Sequence, residues 1–536
     1  MPLTLERKGQ AAKPGDLAVV VRGRGRARIE QVLGAATDIE AVLEGLLVER
    51  GARTGFERYS PPRPSDEGRA DLRNLVTFTI DPETAKDFDD AISVRREGDR
   101  LRVWVHIADV SYYIPAESPL DRGAARRSFT FYVPGRAAPM LPPELADDLC
   151  SLRPHVDRLT VTVEVPFGPD LEPARPRFYR SVIRSDARLS YGHAERILGG
   201  RERIDPPLAE ALELAERVAL ELRRRRFERG ALRIESQEIS FALDGAGGVS
   251  HARREGEPHA HALVEEFMIL ANECVAQLLS RRRRPNVYRV HERPDPQAID
   301  LLLARLESLE VPTPPGPAAE RISPDQAEEL ATRAAERVTA YVKRARRGVE
   351  AFPTLVLRAL KQARYDPRNL GHSGLASRAY CHFTSPIRRY PDLVCHRALL
   401  RELGAGDDAL PEDLPELADW CSAREREAAD VEHDADALCL AWLLHNRLFD
   451  LGWEASFDGE IISVIDSGLF VRFGEVFEGY LPVRKLPGDY FEINALATAL
   501  VGRRSKRTYR LGDPISVRVA EIRRNEGKVE LSLPVS

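Results

Sequence analysis

The segment Thr79-Ile-Asp-Pro-Glu-Thr-Ala-Lys-Asp-Phe-Asp-Asp-Ala91 packs four aspartates, Asp81, Asp87, Asp89 and Asp90, into one short run. Carboxylates this crowded repel one another and are tolerated at one point when cations neutralise them. Hard divalent ions such as Mg²⁺ take oxygen ligands and keep positions open for phosphates. Just upstream, Val76, Phe78 and Ile80 alternate with threonines, which predicts a half-buried strand ending at Asp81. Pro82 to Lys86 then loops back to Asp87. An extended Asp87–Ala91 sends Asp87 and Asp89 one way and Asp90 the other. Such a cluster suits one or two metal ions for phosphodiester hydrolysis. The competing reading is a solvated acidic turn, and the apolar residues woven through the run count against it.

Working outward, 536 residues exceed what one core organises, and about two to four domains are expected. Hydrophobic and charged contents of 43% and 30% exclude a disordered chain. The six cysteines form no C-x-x-C pair, which argues against zinc and disulfide scaffolds and for a reducing cytoplasm. The start, Met1 to Lys13, is polar and no apolar run reaches the length of a membrane span, so a cytoplasmic protein without membrane partners is expected. A net charge of −5 does not itself announce nucleic acid, but the cations come in blocks: Arg223 to Arg226, Arg281 to Arg284, Lys343 to Arg347, and Arg503 to Arg507. Each block alone reads as a solvated face. Their convergence on one channel would make a phosphate track.

The expected fold class is α+β in three parts. Residues 1–68 show a strand-like Ala18–Val21, a turn at Arg22–Arg26, a helix over Ala27–Leu33, a turn at Gly34–Thr37, and an amphipathic helix over Asp38–Arg50 closed by Gly51. That order resembles a small winged helix-turn-helix domain. Pro61–Pro64 reads as a linker. Residues 69–450 form a large mixed region. Strands over Ala91–Val94 and Leu101–Ile107 flank a turn at Glu97–Arg100, helical patterns cover Pro207–Arg229, His261–Arg281 and Gln326–Arg346, and Pro312–Pro317 is a loop. Residues 451–536 carry five short strands, which suits a small OB-type β-barrel. In it Phe470, Phe473, Phe477 and Tyr480 are candidate stacking residues. Strand alternation sends about half of them outward. Lys506, Arg507 and Tyr509 add basic and aromatic character in a loop.

The aspartate run is followed by Val105-His-Ile-Ala-Asp-Val110, Pro139-Met-Leu-Pro-Pro143, Leu149-Cys-Ser-Leu152, Tyr179-Arg-Ser-Val-Ile-Arg184, Leu263-Val-Glu-Glu-Phe267 and Thr384-Ser-Pro-Ile-Arg-Arg-Tyr-Pro-Asp392 with His396-Arg397. In that order these motifs resemble the catalytic domain of the ribonuclease II / ribonuclease R family over roughly residues 70 to 450. The terminal barrel is similar to the RNA-binding OB domain repeated in a ribosomal small-subunit protein. The resemblance implies Mg²⁺-dependent (Mn²⁺ as substitute), processive 3′→5′ hydrolysis of single-stranded RNA to nucleoside 5′-monophosphates, by a monomer that engages the RNA 3′ end. It implies that Asp81, Asp87, Asp89 and Asp90 hold the metal and the attacking water, with Asp89 the most critical. Arg426, in Cys421-Ser-Ala-Arg-Glu-Arg426, matches the catalytic arginine. A guanidinium there suits charge building on a scissile phosphate; the alternative is a surface ion pair with Glu425 or Asp430. Tyr132 matches the tyrosine that stacks on the 3′-terminal base, and Tyr288 one near the ribose, where a 2′-hydroxyl contact separates RNA from DNA.

Two departures from the family pattern stand out. The glutamate that usually partners the ribose tyrosine falls on Arg378, and an arginine cannot accept a hydrogen bond from a hydroxyl. It would grip a phosphate or pair with an acid, which motivates an alternative reading as an exonuclease with relaxed sugar choice that also cleaves DNA. The family also carries two cold-shock domains ahead of the catalytic domain, and 68 residues do not hold both. Fewer clamps at a channel mouth would favour entry of structured RNA. A further alternative is a non-catalytic RNA-binding factor that has kept the fold. In the Thr384–Arg397 motif, Pro391 opens a helix and leaves Arg388 and Arg389 beside its positive end, either to meet phosphate or to brace the aspartates.

Overall fold

The computed structural model describes residues 11–22, 26–52, 55–233, 238–245, 247–255, 259–316 and 322–534. The chain enters through an antiparallel hairpin, β1 (Asp16–Arg22) and β2 (Ala27–Ala35), followed by α1 (Ile39–Glu49). The second helix of the expected helix-turn-helix is therefore present, capped by Asp38, which accepts from the Glu40 amide at 2.8 Å. The first is corrected to a strand. Ala27–Leu33 is only two turns long, and as a strand it gives the backbone groups of β1 partners that a helix would leave unmet. Part of the Arg22–Arg26 turn and Pro317 of the proline-rich loop lie outside the described residues.

Next come β3 (Ala70–Asp71), β4 (Phe78–Asp81), β5 (Asp90–Glu97) and β6 (Arg100–Ala108), then α2 (Val110–Tyr113), α3 (Pro119–Arg127) and a small hairpin, β7 (Phe131–Val133) with β8 (Arg136–Ala138). Strands β9 (Asp157–Phe167), β10 (Arg177–Arg184) and β11 (Ala187–Ser190) complete a seven-stranded sheet of order β11-β4-β5-β6-β9-β10-β3, antiparallel except at β11–β4 and β10–β3. After α4 (Tyr191–Leu198), one face of this sheet is covered by α5 (Pro206–Glu228) and, beyond the hairpin β12 (Glu238–Leu243) and β13 (Val249–Glu255), by α6 (His259–Arg281). Val103, Val105 and Ile107 of β6 meet Leu212, Leu263 and Phe267 there.

The remainder holds β14 (Tyr288–Val290), α7 (Pro296–Ser308), α8 (Pro324–Ala345), α9 (Ala351–Ala359), β15 (Arg364–Asp366), α10 (Tyr390–Glu402) and α11 (Leu414–Leu451). Helix α11 has 38 residues, about 57 Å at 1.5 Å per residue, and ends at Gly452, whose φ of 85° turns the chain. It packs on α1, β7 and β15, and its second half supports the terminal barrel. That barrel closes through β16 (Ser456–Ile465), β17 (Gly468–Phe473), β18 (Phe477–Pro482), β22 (Pro514–Arg523) and β23 (Lys528–Ser532), with a side sheet of β19 (Phe491–Ile493), β20 (Ala499–Gly502) and β21 (Thr508–Arg510). One apolar cluster runs through α1, α7, α8, α9, α11 and the barrel, so these parts share a core. Glu460 of β16 fixes the junction, accepting the backbone amides of Val349, Glu350 and Ala351 at the start of α9 at 2.8–3.1 Å. Of the four barrel aromatics, Phe473 and Phe477 are core residues at 1% exposure. Phe470 and Tyr480 lie outside, with ring centroids 5.3 Å apart. Tyr509 is a core residue of β21 rather than a loop aromatic. Among the described residues, no helix is long and apolar enough to cross a membrane.

Candidate active site

Asp81 is the last residue of β4 and Asp90 the first of β5, so the loop between them delivers Asp87 and Asp89 to the same sheet edge. Three clamps shape that loop. Arg188 of β11, paired in parallel register with Thr79, donates from Nη2 to the carbonyls of Pro82 (2.6 Å) and Glu83 (2.8 Å), and its guanidinium lies 5.5 Å from the Phe88 ring. Ser151 donates from Oγ to the Lys86 carbonyl (2.6 Å) and accepts the Phe88 amide (3.1 Å). The Leu152 amide donates to the Phe88 carbonyl (2.9 Å). The Leu149–Leu152 motif thus holds the aspartate loop.

Asp89 is buried. Its Oδ1 accepts the Ile387 amide at 2.8 Å, while Oδ2 has no hydrogen-bond partner and lies 3.7 Å from Nε of Arg388. Asp81 Oδ2 is likewise buried and unpartnered. Asp87 accepts the Tyr132 hydroxyl at 2.8 Å. Burial raises the carboxyl pKa of Asp89 well above the ordinary range, and raises Asp81 and Asp90, with the Asp90 charge adding to the shift at Asp81. Arg388 opposes the shift at all three and is their common counter-charge. It remains 47% exposed, so it can brace the cluster and still meet an anion.

Arg389 is committed elsewhere. It forks onto buried Asp392, Nη2 to Oδ1 at 2.7 Å and Nε to Oδ2 at 2.9 Å, and Asp392 also accepts the Ser385 amide. This fork sits at the start of α10, with Pro391 in its first turn, and fixes the turn whose Ile387 amide reaches Asp89. Tyr288, expected near the ribose, is buried. At 4% exposure it packs inside β14, where alternation turns Arg289 outward instead, to pair with Glu425 at 2.5 Å. That pair takes the acid expected beside Arg426. Arg426 is exposed on α11 and has no ion pair among the described residues; its helix presses on β7, the strand of Tyr132. Arg378 is exposed, and among the described residues only its carbonyl is engaged, by Asn369 Nδ2 at 3.1 Å. Neither arginine touches the aspartates in this structure.

Tyr132, half-buried, opens into a cavity of about 970 Å³ walled by α8, α9 and α11 and bearing Arg233, Lys343 and Arg472. A second cavity of about 630 Å³ lies between α11 and the barrel, beneath Phe470 and Tyr480. Ile239, Asp436 and Arg472 line both, so the two adjoin and form one groove from the barrel aromatics to Tyr132, whose hydroxyl donates to Asp87. Sequence reading missed Arg188 and Ser151 as supports, because parallel β11–β4 pairing and a clamp from 65 residues away leave no local signal; it also missed Asp392, whose signal was local, an acid three residues after Arg389. Among the described residues no three carboxylates, imidazoles or thiols already form a metal-ligand set. The donors still fit a hard divalent cation: two buried carboxylate oxygens have no hydrogen-bond partner, and hard ions take such acceptors.

Fold and site together define a mixed-sheet domain whose partly buried carboxylate cluster is joined through Tyr132 to a groove that continues beside an OB barrel. The RNB domain model matches residues 69–404 and the S1 RNA binding domain model residues 453–533. The chain belongs to the RNB-domain family, that of ribonuclease II and ribonuclease R. It is 37% identical over 490 residues to Ribonuclease R of Escherichia coli, an alignment covering 88% of this chain and 58% of that protein. The chain thus spans less than two thirds of that curated relative. Among solved structures it is similar to Mycoplasma genitalium RNase R in complex with ribose-methylated single-stranded RNA (TM-score 0.86, 26% identity, 95% of this chain and 80% of that one). It is also similar to the same protein in complex with double-stranded RNA (TM-score 0.79, 25% identity, 96% and 87%).

Proposed function

We propose that this chain is a Mg²⁺-dependent exoribonuclease that degrades single-stranded RNA processively from its 3′ end to nucleoside 5′-monophosphates, acting as a cytoplasmic monomer. The observation that carries the reading is the continuous groove from Phe470 and Tyr480 to Tyr132, whose hydroxyl bonds Asp87 of the aspartate cluster. The width of a single strand and its stackable bases suit such a track. Asp81, Asp87, Asp89 and Asp90 would hold the metal, with Mn²⁺ as a substitute; when bound, it activates water and draws charge from the scissile phosphate. Arg388, half exposed beside Asp89, supplies a positive charge to that phosphate. Arg426 is proposed to reach it from α11 once RNA fills the groove. Tyr132 offers its ring to the terminal base, and its hydroxyl holds Asp87 at a fixed distance. Arg389 acts indirectly, through the turn that positions Asp89.

The test is a time course on 5′-labelled single-stranded RNA with and without Mg²⁺, beside DNA of the same sequence. The expected result is a ladder shortening from the 3′ end to a short limit product, only with the metal and only on RNA. Release of no mononucleotide would leave a non-catalytic RNA-binding factor as the better reading. A matching DNA ladder would favour relaxed sugar choice, for which the exposed Arg378 is the observation. Structured RNA is proposed as a further substrate, and arrest of a 3′-tailed hairpin many nucleotides before its stem would exclude it.

A further inference from the structure

The side sheet β19–β21 carries a cationic turn that the groove does not use. None of residues 489–510 lines either cavity. The turn is a built structure. Asp489 accepts the amides of Arg504 (2.9 Å) and Ser505 (2.7 Å) and the Ser505 hydroxyl (2.7 Å), so its charge is spent inside the loop. Gly502 is required there, since a Cβ would lie 2.5 Å from Ser505 Oγ and 2.6 Å from Asp489 Oδ2. Lys506 adopts a φ of 57°, and the Gly502 amide donates to the Arg507 carbonyl at 2.8 Å, closing the turn. What this frame displays is positive and aromatic. Arg503 pairs with Glu492 and lies 4.8 Å from the ring of Tyr490, which is 66% exposed. Arg504, Lys506 and Arg507 are exposed and have no acidic partner among the described residues.

We infer that Tyr490 with Arg504, Lys506 and Arg507 is a second RNA-contacting surface, which takes the phosphate backbone of a strand extending beyond the groove. The inference rests on the reading that the groove holds RNA. Three unneutralised cations beside an exposed ring suit single-stranded nucleic acid, where bases stack and phosphates pair. An acidic protein surface would use the charges and leave the ring without a role.

The test compares the full-length wild type with the R504Q/K506Q/R507Q variant and with Tyr490→Ala. Each is titrated, with EDTA present to stop turnover, against fluorescein-labelled oligoadenylates across a range of salt. One RNA has about 8 nucleotides, within a single OB site, and the other about 40. For the long RNA the triple variant should lower the slope of log affinity against log salt by about 2, that is about 0.7 for each of three phosphates. Tyr490→Ala should weaken long-RNA binding about tenfold. The short RNA should bind all three proteins alike. Equal losses on both lengths would place the turn in the groove and overturn the inference. So would unchanged binding of the long RNA, the result expected of a solvated turn or a protein-docking surface, and so would a wild type that binds no RNA. Because the readout is binding, a wild type that releases no mononucleotide would sink the exonuclease reading while leaving this inference standing.

Discussion

Asp89 has the least replaceable environment in the cluster: one oxygen on the Ile387 amide, the other buried without a partner, and Arg388 alongside. Asp89→Asn keeps the volume and removes the charge. Turnover should fall by more than the about 10²-fold typical of a lost supporting group around a metal, while RNA affinity in EDTA stays at the wild-type level. Equal losses of binding and turnover would make Asp89 a structural residue. Tyr132→Ala removes both a stacking face and the donor to Asp87, and should change the length of the final undegraded oligonucleotide; an unaltered limit product, read on a sequencing gel, would take Tyr132 out of the terminal stack. The aspartates were legible in sequence because their signal is local and strange, four like charges in a run with apolar neighbours. The burial of Tyr288 was not, since which parity of a three-residue strand faces the core depends on what lies across from it. Arg188 was silent for a similar reason: only the parallel register beside β4 shows what it clamps.

At the scale of elements, the sheet that carries the aspartates is crossed by a buried polar chain. Thr77 Oγ1 meets Ser93 Oγ at 2.8 Å, Ser93 meets His106 Nε2 at 3.1 Å, His106 Nδ1 meets Thr162 Oγ1 at 2.9 Å, and Thr162 meets Ser181 Oγ at 2.6 Å. Burial pushes the His106 pKa down to about 3 from 6.5, so the folded state holds a neutral ring. A depressed histidine contributes stability that is complete above pH 6.5 and drains away as pH falls toward 3. Between pH 7.5 and 5 His106 should therefore cost about 2 kcal/mol of folding free energy. Denaturant titrations at the two pH values check this: His106→Asn should lose about that much less than wild type on acidification, and an identical pH dependence would refute the assignment. The same scale shows where pattern reading succeeds and fails. The hairpin β5–β6 and helices α5, α6 and α8 follow the sequence closely, because each is long enough for its period to be unambiguous. Ala27–Leu33 misled because seven residues with three or four apolar ones satisfy either period, and the tie was broken by β1, which needed a partner.

Over the whole molecule, the groove exists only because the barrel is held at one orientation to the catalytic domain. The shared apolar cluster supplies most of the adhesion but little direction, being non-directional. Direction comes from polar locks: Glu460 capping α9 from another domain, and Arg347 donating from Nε to Asp513 at 2.9 Å. Glu460 matters doubly, since Val349 and Glu350, whose amides it holds, line the cavity together with Arg472 of the barrel, whose Nη1 lies 3.9 Å from Glu350 Oε2. Glu460→Ala leaves three amides at a helix start without their charged acceptor and should cost about 2 kcal/mol. The consequence for function is larger than the loss of stability. A barrel free to tilt on Gly452 no longer keeps the two cavities in line, so cleavage of long RNA should slow more than cleavage of a few-nucleotide substrate that reaches only Tyr132. Limited proteolysis should find the Gly452–Ala455 junction cut faster than in wild type. If Glu460→Ala shifted the denaturant midpoint but left both the proteolytic pattern and the ratio of long to short RNA cleavage untouched, the cap would be a stabilising contact only, and alignment of the groove would have to be credited to the apolar interface.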